Sequence, residues 1–304
     1  DLTKACFECR KGIITCAEES TAFPMVTRPD YMGGLGFLLK WNMGWMNDTL
    51  KYMKEDPIYR KYKHNMLTFS MTYAFSENFI LPLSHDEVVH LKGSLLNKMP
   101  GDYFWKFAGA RLLRGYQMAH PGKKLCFMGA ELGQFTEWNF NKDIDWTVLD
   151  YEMHQKMQLF YKELNHFYKE HSEMWADDLG WGGYQWIQPD DADSSVMAFR
   201  RIDPKKGKEL ICVLNFTPVL RDDYRLGLPK AGTWEPVFCS DDWRYGGTNQ
   251  LPHDVTAEEV SFREYQYSGL FRVPPMSVTF YVRKPERKGK KKVEEVAETV
   301  ETAE

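Results

Sequence analysis

Leu81-Pro82-Leu83-Ser84-His85-Asp86-Glu87-Val88-Val89-His90 is the stretch on which the reading of this chain turns. The run 79–83 is apolar and strand-like, and it stops abruptly at a polar pair. Barrels and open sheets of the α/β class keep their chemistry just beyond the carboxyl ends of their strands. Asp86 is therefore the first candidate for a working carboxylate.

A second stretch has the same form. Ile13-Ile14-Thr15-Cys16-Ala17 is a β-branched run that ends at once in Glu18-Glu19-Ser20-Thr21, again a strand that delivers carboxylates at its tip. Taken alone, Glu18 and Glu19 read as solvated loop residues, with Ser20 or Thr21 capping a helix. Paired with His85 and Asp86, the two tips point to one site.

Outward from these tips the chain alternates. A helix over 1–11 breaks at Gly12 before the strand at 13–17. A Pro- and Gly-bearing loop over 23–36 leads to a strand at 35–41. The next segment, 43–54, carries Trp45, Met46, Thr49, Leu50 and Met53 on one helical face. A helix over 66–75 precedes the strand at 78–83. Another over 102–118 presents Phe104, Phe107, Ala108, Leu112 and Tyr116, and Pro121-Gly122 ends it before a strand at 124–128. Strand–helix alternation of this kind specifies a parallel sheet with crossover helices, and each tip is polar: Glu18, Lys40 with Asn42, His85 with Asp86, and Glu131. Four such units make half of a (β/α) barrel.

After a further helix over 151–175 the texture changes to short strand-like runs, at 196–202, 209–216, 234–238, 269–273 and 277–282, separated by turn residues. These predict an antiparallel β-sandwich with its own core. The expected division is 1–179 for the half-barrel and 180–283 for the sandwich. The segment 284–304, basic then acidic with few large apolar residues, reads as a disordered tail.

Bulk composition narrows the function. A formal charge of −4 gives no electrostatic case for nucleic acid or an anionic membrane, and no apolar run reaches the roughly 18 residues of a membrane span. The chain holds 10 Trp, 16 Tyr and 19 Phe, enough for aromatic platforms under sugar rings as well as a large core. Of six cysteines only Cys6 and Cys9 form a C-x-x-C pair, with no second pair to complete a zinc site. They read as reduced thiols and favour the cytoplasm. No cofactor or metal is implied.

The blocks Glu18-Glu19-Ser20-Thr21, Met32-Gly33-Gly34-Leu35-Gly36-Phe37, Lys40-Trp41-Asn42-Met43-Gly44-Trp45-Met46, Ser84-His85-Asp86-Glu87-Val88-Val89-His90, Phe127-Met128-Gly129-Ala130-Glu131 and Glu137-Trp138-Asn139 together resemble the bacterial-type 1,4-α-glucan (glycogen) branching enzymes of the α-amylase superfamily. The resemblance runs from Gly12 to about Arg283. It implies strands five to eight of a (β/α)8 barrel followed by an all-β domain, and an α-1,4-glucan as substrate. An α-1,4 link is cut and the chain moved to a 6-hydroxyl, making an α-1,6 branch. It places the general acid/base on Glu18 and the carboxylate that stabilises the distorted sugar on Asp86. His85 falls on the histidine that hydrogen-bonds the same sugar, Glu19 on a supporting residue, and Glu131 on a position with a structural or substrate-contact role.

In that chemistry Glu18 alternates between acid and base, which calls for a pKa raised toward neutrality, while Asp86 stays ionised. The family's nucleophile, an Asp in a Gly-x-Arg-x-Asp-Ala setting, has no counterpart in these residues. The expectation is therefore the carboxy-terminal half of a longer enzyme, with the amino-terminal half of that enzyme as its partner and no activity alone. Two readings stay open beside transfer: an amylase-like α-glucan hydrolase, and a catalytically inactive glucan-binding chain.

Overall fold

In the computed structural model, which describes residues 2–285, four strands form one parallel sheet in chain order: β1 (Cys16–Ala17), β2 (Leu39–Trp41), β3 (Phe79–Leu83) and β4 (Lys123–Cys126). Ala17 sits beside Lys40, Lys40 beside Phe79, and Leu83 beside Cys126. All four carboxyl ends consequently lie on one edge of the sheet, which is what the polar tips require. The expected tail from 286 onward lies outside the described residues.

The helices between the strands follow the sequence closely where an apolar stripe and a cap agree. After α1 (Leu2–Cys9) and β1, α2 (Met43–Lys54) starts on Asn42, whose side chain accepts from the Trp45 N–H, and buries Trp45, Met46, Thr49, Leu50 and Met53. The longer α4 (Tyr103–Ala119) starts on Asp102 in the same way. The helix expected over 66–75 is broken instead into α3 (Asn65–Thr68) and a 3₁₀ turn, Phe69–Thr72. Thr72 and Ser76 donate to the carbonyls three residues back, a local alternative that competes with the helical ladder.

Two expected strands are shorter than predicted. The run at 35–41 pairs only from Leu39, because Leu35, Gly36 and Phe37 donate back to Met25, Arg28 and Val26 within their own loop. The run at 13–17 pairs only over its last two residues. The helix α5 (Glu152–Glu170) ends short of 175 in a 3₁₀ turn, Ser172–Met174.

The antiparallel part is built on a six-stranded sheet of β5 (Tyr184–Asp191), β6 (Val196–Asp203), β7 (Lys208–Asn215), β9 (Thr233–Cys239), β10 (Val255–Thr256) and β12 (Ser277–Arg283), in the order β10-β9-β12-β7-β6-β5. A two-stranded sheet of β8 (Arg221–Leu228) and β11 (Tyr267–Val273) packs over it. The sequence reading omits β5, β8 and β10. Pro189 and register shifts interrupt β5, and the start of β8 is charged, with Asp223 at φ 53°; neither shows the alternation that marks a half-buried strand.

Alternation in the central strands splits the core. Ile211, Val213, Val196 and Ala198 meet Leu226, Leu228, Phe271 and Val273 of the small sheet. Leu210, Cys212, Leu214, Phe199 and Phe280 face the other way, into a cluster that continues through Phe107, Leu112 and Tyr116 of α4 and Phe160, Leu164 and Phe167 of α5. The expected boundary at 180 thus marks a change of sheet type, while the hydrophobic core runs across it. Two contacts show how close the packing is. Phe167 stacks on Phe280 with centroids 5.2 Å apart. A Cβ on Gly115 of α4 would come within 2.1 Å of Val278 Cγ1 on β12.

Buried arginines stitch the same seam through backbone carbonyls. Arg60 donates to Met53 and Phe216, Arg111 to Ser240 and Gly246, and Arg201 to Ala119 and Gly183 while pairing with buried Asp178 at 2.6 Å.

Candidate active site

Glu18 follows β1 directly, and His85 and Asp86 come two and three residues after β3. With β2 between them, these tips share the carboxyl edge of one sheet. Glu18 is exposed and, among the described residues, makes no side-chain hydrogen bond or ion pair. His85 and Asp86 touch, His85 Nε2 lying 3.3 Å from Asp86 Oδ1, and both side chains are a little under half exposed. His85 Nδ1 is 3.1 Å from Ser84 Oγ, which together with Asp86 fixes the ring between two oxygen partners. Phe127 and the edge-on ring of Trp138 flank the imidazole at 6.1 and 6.2 Å.

Glu19 faces a different environment from Glu18. Lys40, buried on β2, pairs with it at 2.7 Å and also donates to the Thr21 and Phe23 carbonyls, while Thr21 adds two bonds of 2.8 and 2.6 Å. The Lys40 hydrogen bond above all, then those from Thr21, hold the Glu19 carboxyl down at about 2. Lys40 and Glu19 therefore form a staple that sets the course of the chain after Glu18. They also form part of the wall of an open cleft of about 530 Å³ with Phe23, Asp48, Phe69 and Tyr73; neither Glu18 nor Asp86 lines it.

The segment after Asp86 holds residues to which the sequence reading gave no role. Glu87 is buried and accepts from the Ser84 N–H at 2.5 Å, closing the turn that carries His85 and Asp86. Burial pushes its pKa up, against that bond. Lys92 donates to the Asp86 carbonyl at 2.7 Å, and Lys98, also buried, to the carbonyls of Lys92 and Gly93 at 2.6 and 2.7 Å. Removal from water lowers the Lys98 ammonium to about 8. Glu137 accepts from the N–H groups of Leu91 and Gly93, and the Trp138 N–H donates to the Val88 carbonyl at 3.0 Å. Glu131 sits half-buried in a 3₁₀ turn, Ala130–Leu132, after β4, on the same edge as the other tips.

A parallel sheet followed by an all-β part is a fold that this chain shares with solved proteins. Two of them are an α-amylase from H. orenii, with a TM-score of 0.59 and 15% identity over 93% of this chain and 55% of that one, and a cyclomaltodextrinase, with 0.61 and 15% over 92% and 42%. The family model described as "Alpha amylase, C-terminal all-beta domain" matches residues 186–284. In sequence the chain is a relative of the 1,4-alpha-glucan branching enzymes GlgB. It is 50% identical to that of Halothermothrix orenii over 92% of this chain and 45% of the relative, and 52% identical to that of Aquifex aeolicus over 88% and 42%. The chain spans less than half the length of these curated relatives.

Proposed function

We propose that this chain supplies the acid/base and transition-state-stabilising carboxylates of a 1,4-α-glucan branching transferase, acting within a longer protein. The observation that carries the reading is the placement of Glu18 and the His85–Asp86 pair on one edge of a single parallel sheet, in a sequence half identical to branching enzymes. The four strands correspond, on this reading, to strands five to eight of a closed barrel.

Retaining glycosyl transfer needs a carboxylate nucleophile and an acid/base carboxyl about 5 to 5.5 Å apart. Glu18, open to substrate, protonates the departing chain and then takes the proton of the incoming 6-hydroxyl. Asp86 holds negative charge where the oxocarbenium-like sugar develops positive charge, and its half-exposed carboxylate is available to that sugar. His85 keeps Nδ1 on Ser84 and, on giving up its 3.3 Å contact with Asp86, donates from Nε2 to the same sugar. Glu19, locked to Lys40, keeps the Glu18 backbone in place. The nucleophile comes from the remaining strands, so the chain alone is inactive and regains transfer when that part is supplied. Amylose, with the loss of iodine colour as readout, tests this: Glu18→Gln in the complemented protein should lower the rate by about 10² to 10⁴, and near-normal branching would sink the assignment.

An α-glucan hydrolase is the second reading, favoured by the amylase and cyclomaltodextrinase folds. New reducing ends in proportion to the loss of iodine colour would mark hydrolysis; transfer lowers the colour with few new ends.

A further inference from the structure

We infer that Glu137 is a positioning residue for the Asp86 carboxylate: it fills a nest of backbone N–H groups in the segment 86–93 and so fixes the strained loop that holds Asp86 in place. This rests on the reading of Asp86 given above.

The segment leaves β3 and turns back through an unusual backbone. His90 has φ 55°, Leu91 φ 64° and Gly93 φ 76°. Left-handed conformations at two successive non-glycine residues are disfavoured and persist where the surroundings over-determine them. Burial of the Leu91 side chain does not offset the strain, because Leu91 is 98% exposed. The restraint is polar instead. Left-handed residues turn neighbouring N–H groups toward one point, a concavity that binds anions. The Glu137 carboxylate occupies it, Oε2 accepting from Leu91 at 3.1 Å and Oε1 from Gly93 at 2.6 Å.

The same short stretch grips the loop a second time. Trp138 donates its N–H to Val88 and sets its ring edge against His85 and Phe127. Lys92, one residue along from Leu91, returns to the Asp86 carbonyl. Movement at Leu91 is therefore passed to Asp86 through one side chain and to His85 through one ring. Glu137 bonds to neither Asp86 nor His85, so its effect is on placement.

Amide hydrogen exchange on the whole chain tests this without relying on activity. In Glu137→Gln, which keeps the shape and loses the charge, the Leu91 and Gly93 amides should exchange at least about tenfold faster, while α4, β7 and the melting temperature stay as in the parent. Glu137→Asp, charged but one methylene shorter, should fall between. In the complemented protein Glu137→Gln should lower kcat with KM for a long glucan unchanged, since distant subsites hold the chain. Unchanged exchange at 91 and 93 would overturn the proposal, as would loosening spread evenly over the molecule or failure of both variants to fold, each of which marks a merely structural role. Local loosening with unaltered kcat would overturn it too. If the parent itself shows no branching, the functional reading fails, and the exchange result still decides the positioning.

Discussion

Glu18 and Glu19 are adjacent in the chain and opposite in their surroundings: one is open and unpaired among the described residues, the other tied to Lys40 and Thr21. The difference gives Glu19 a pH signature. Its pKa in the fold is lowered from an ordinary 4.5 to about 2, so the protein binds fewer protons there than the unfolded chain in between. The Glu19 contribution to stability is complete above about 4.5 and lost as the pH falls through about 2. The melting-temperature difference between the parent and Glu19→Gln should hold steady from neutral pH to about 5 and shrink below that. A difference that does not change with pH would mean the ion pair adds nothing. At this scale the carboxylates were legible because each ends an apolar run. Glu137, Lys98 and Glu87 were not, since their partners are backbone groups: those of Glu137 and Lys98 lie in a loop shaped by φ values at His90 and Leu91 that no residue type announces, and that of Glu87 is the Ser84 N–H in a tight turn.

Among the elements, α2 and α4 could be read nearly to the residue, because an apolar stripe, a capping Asn42 or Asp102, and the downstream Pro57 or Pro121 all agree. The broken stretch around α3 and the charged strand β8 could not, since in both side-chain hydrogen bonds or tertiary pairing outweigh local pattern. A sharper test of packing lies where α4 crosses β12. In an exposed helix Gly→Ala gains about 1 kcal/mol. At Gly115 the new methyl meets Val278, and overpacking of this kind costs about 1 to 3 kcal/mol. Gly115→Ala should therefore destabilise, in denaturant titrations, by about 1 kcal/mol or more, and Val278→Ala added to it should restore part of the loss. Stabilisation by Gly115→Ala alone would show that the helix and sheet are free to move apart.

For the whole molecule, the sequence separates two textures at about residue 180, and the structure joins them through one core. The nearly unbroken apolar runs in β6, β7 and β12 show that both sheet faces are covered, but not by what; only the fold reveals that α4 and α5 cover one of them. The sequence pattern gives the all-β part a core of its own. With Phe199, Leu210, Leu214 and Phe280 stripped of α4 and α5, residues 180–285 in isolation should instead bind a hydrophobic dye and unfold without a sharp transition, whereas the full chain loses both parts together. A cooperative transition of the excised segment, equal in midpoint to that of the full chain, would contradict this. No helix among the described residues is long and apolar enough to cross a membrane.

The absence of a side chain at Gly115 bears on inheritance as well as packing. Since Val278 fills the space that a methyl at 115 would need, the two positions form a lock and key separated by 163 residues (278 − 115), and a change at one is filtered by the other. Recombination between relatives at the visible seam, near 180, would part them. Hybrids that exchange the all-β segment should survive where the incoming residue at 278 suits the resident 115, and fail where it does not, whatever the overall identity of the parents. The natural crossover point for shuffling this architecture lies upstream of α4, so that helices and sheet travel as one heritable block.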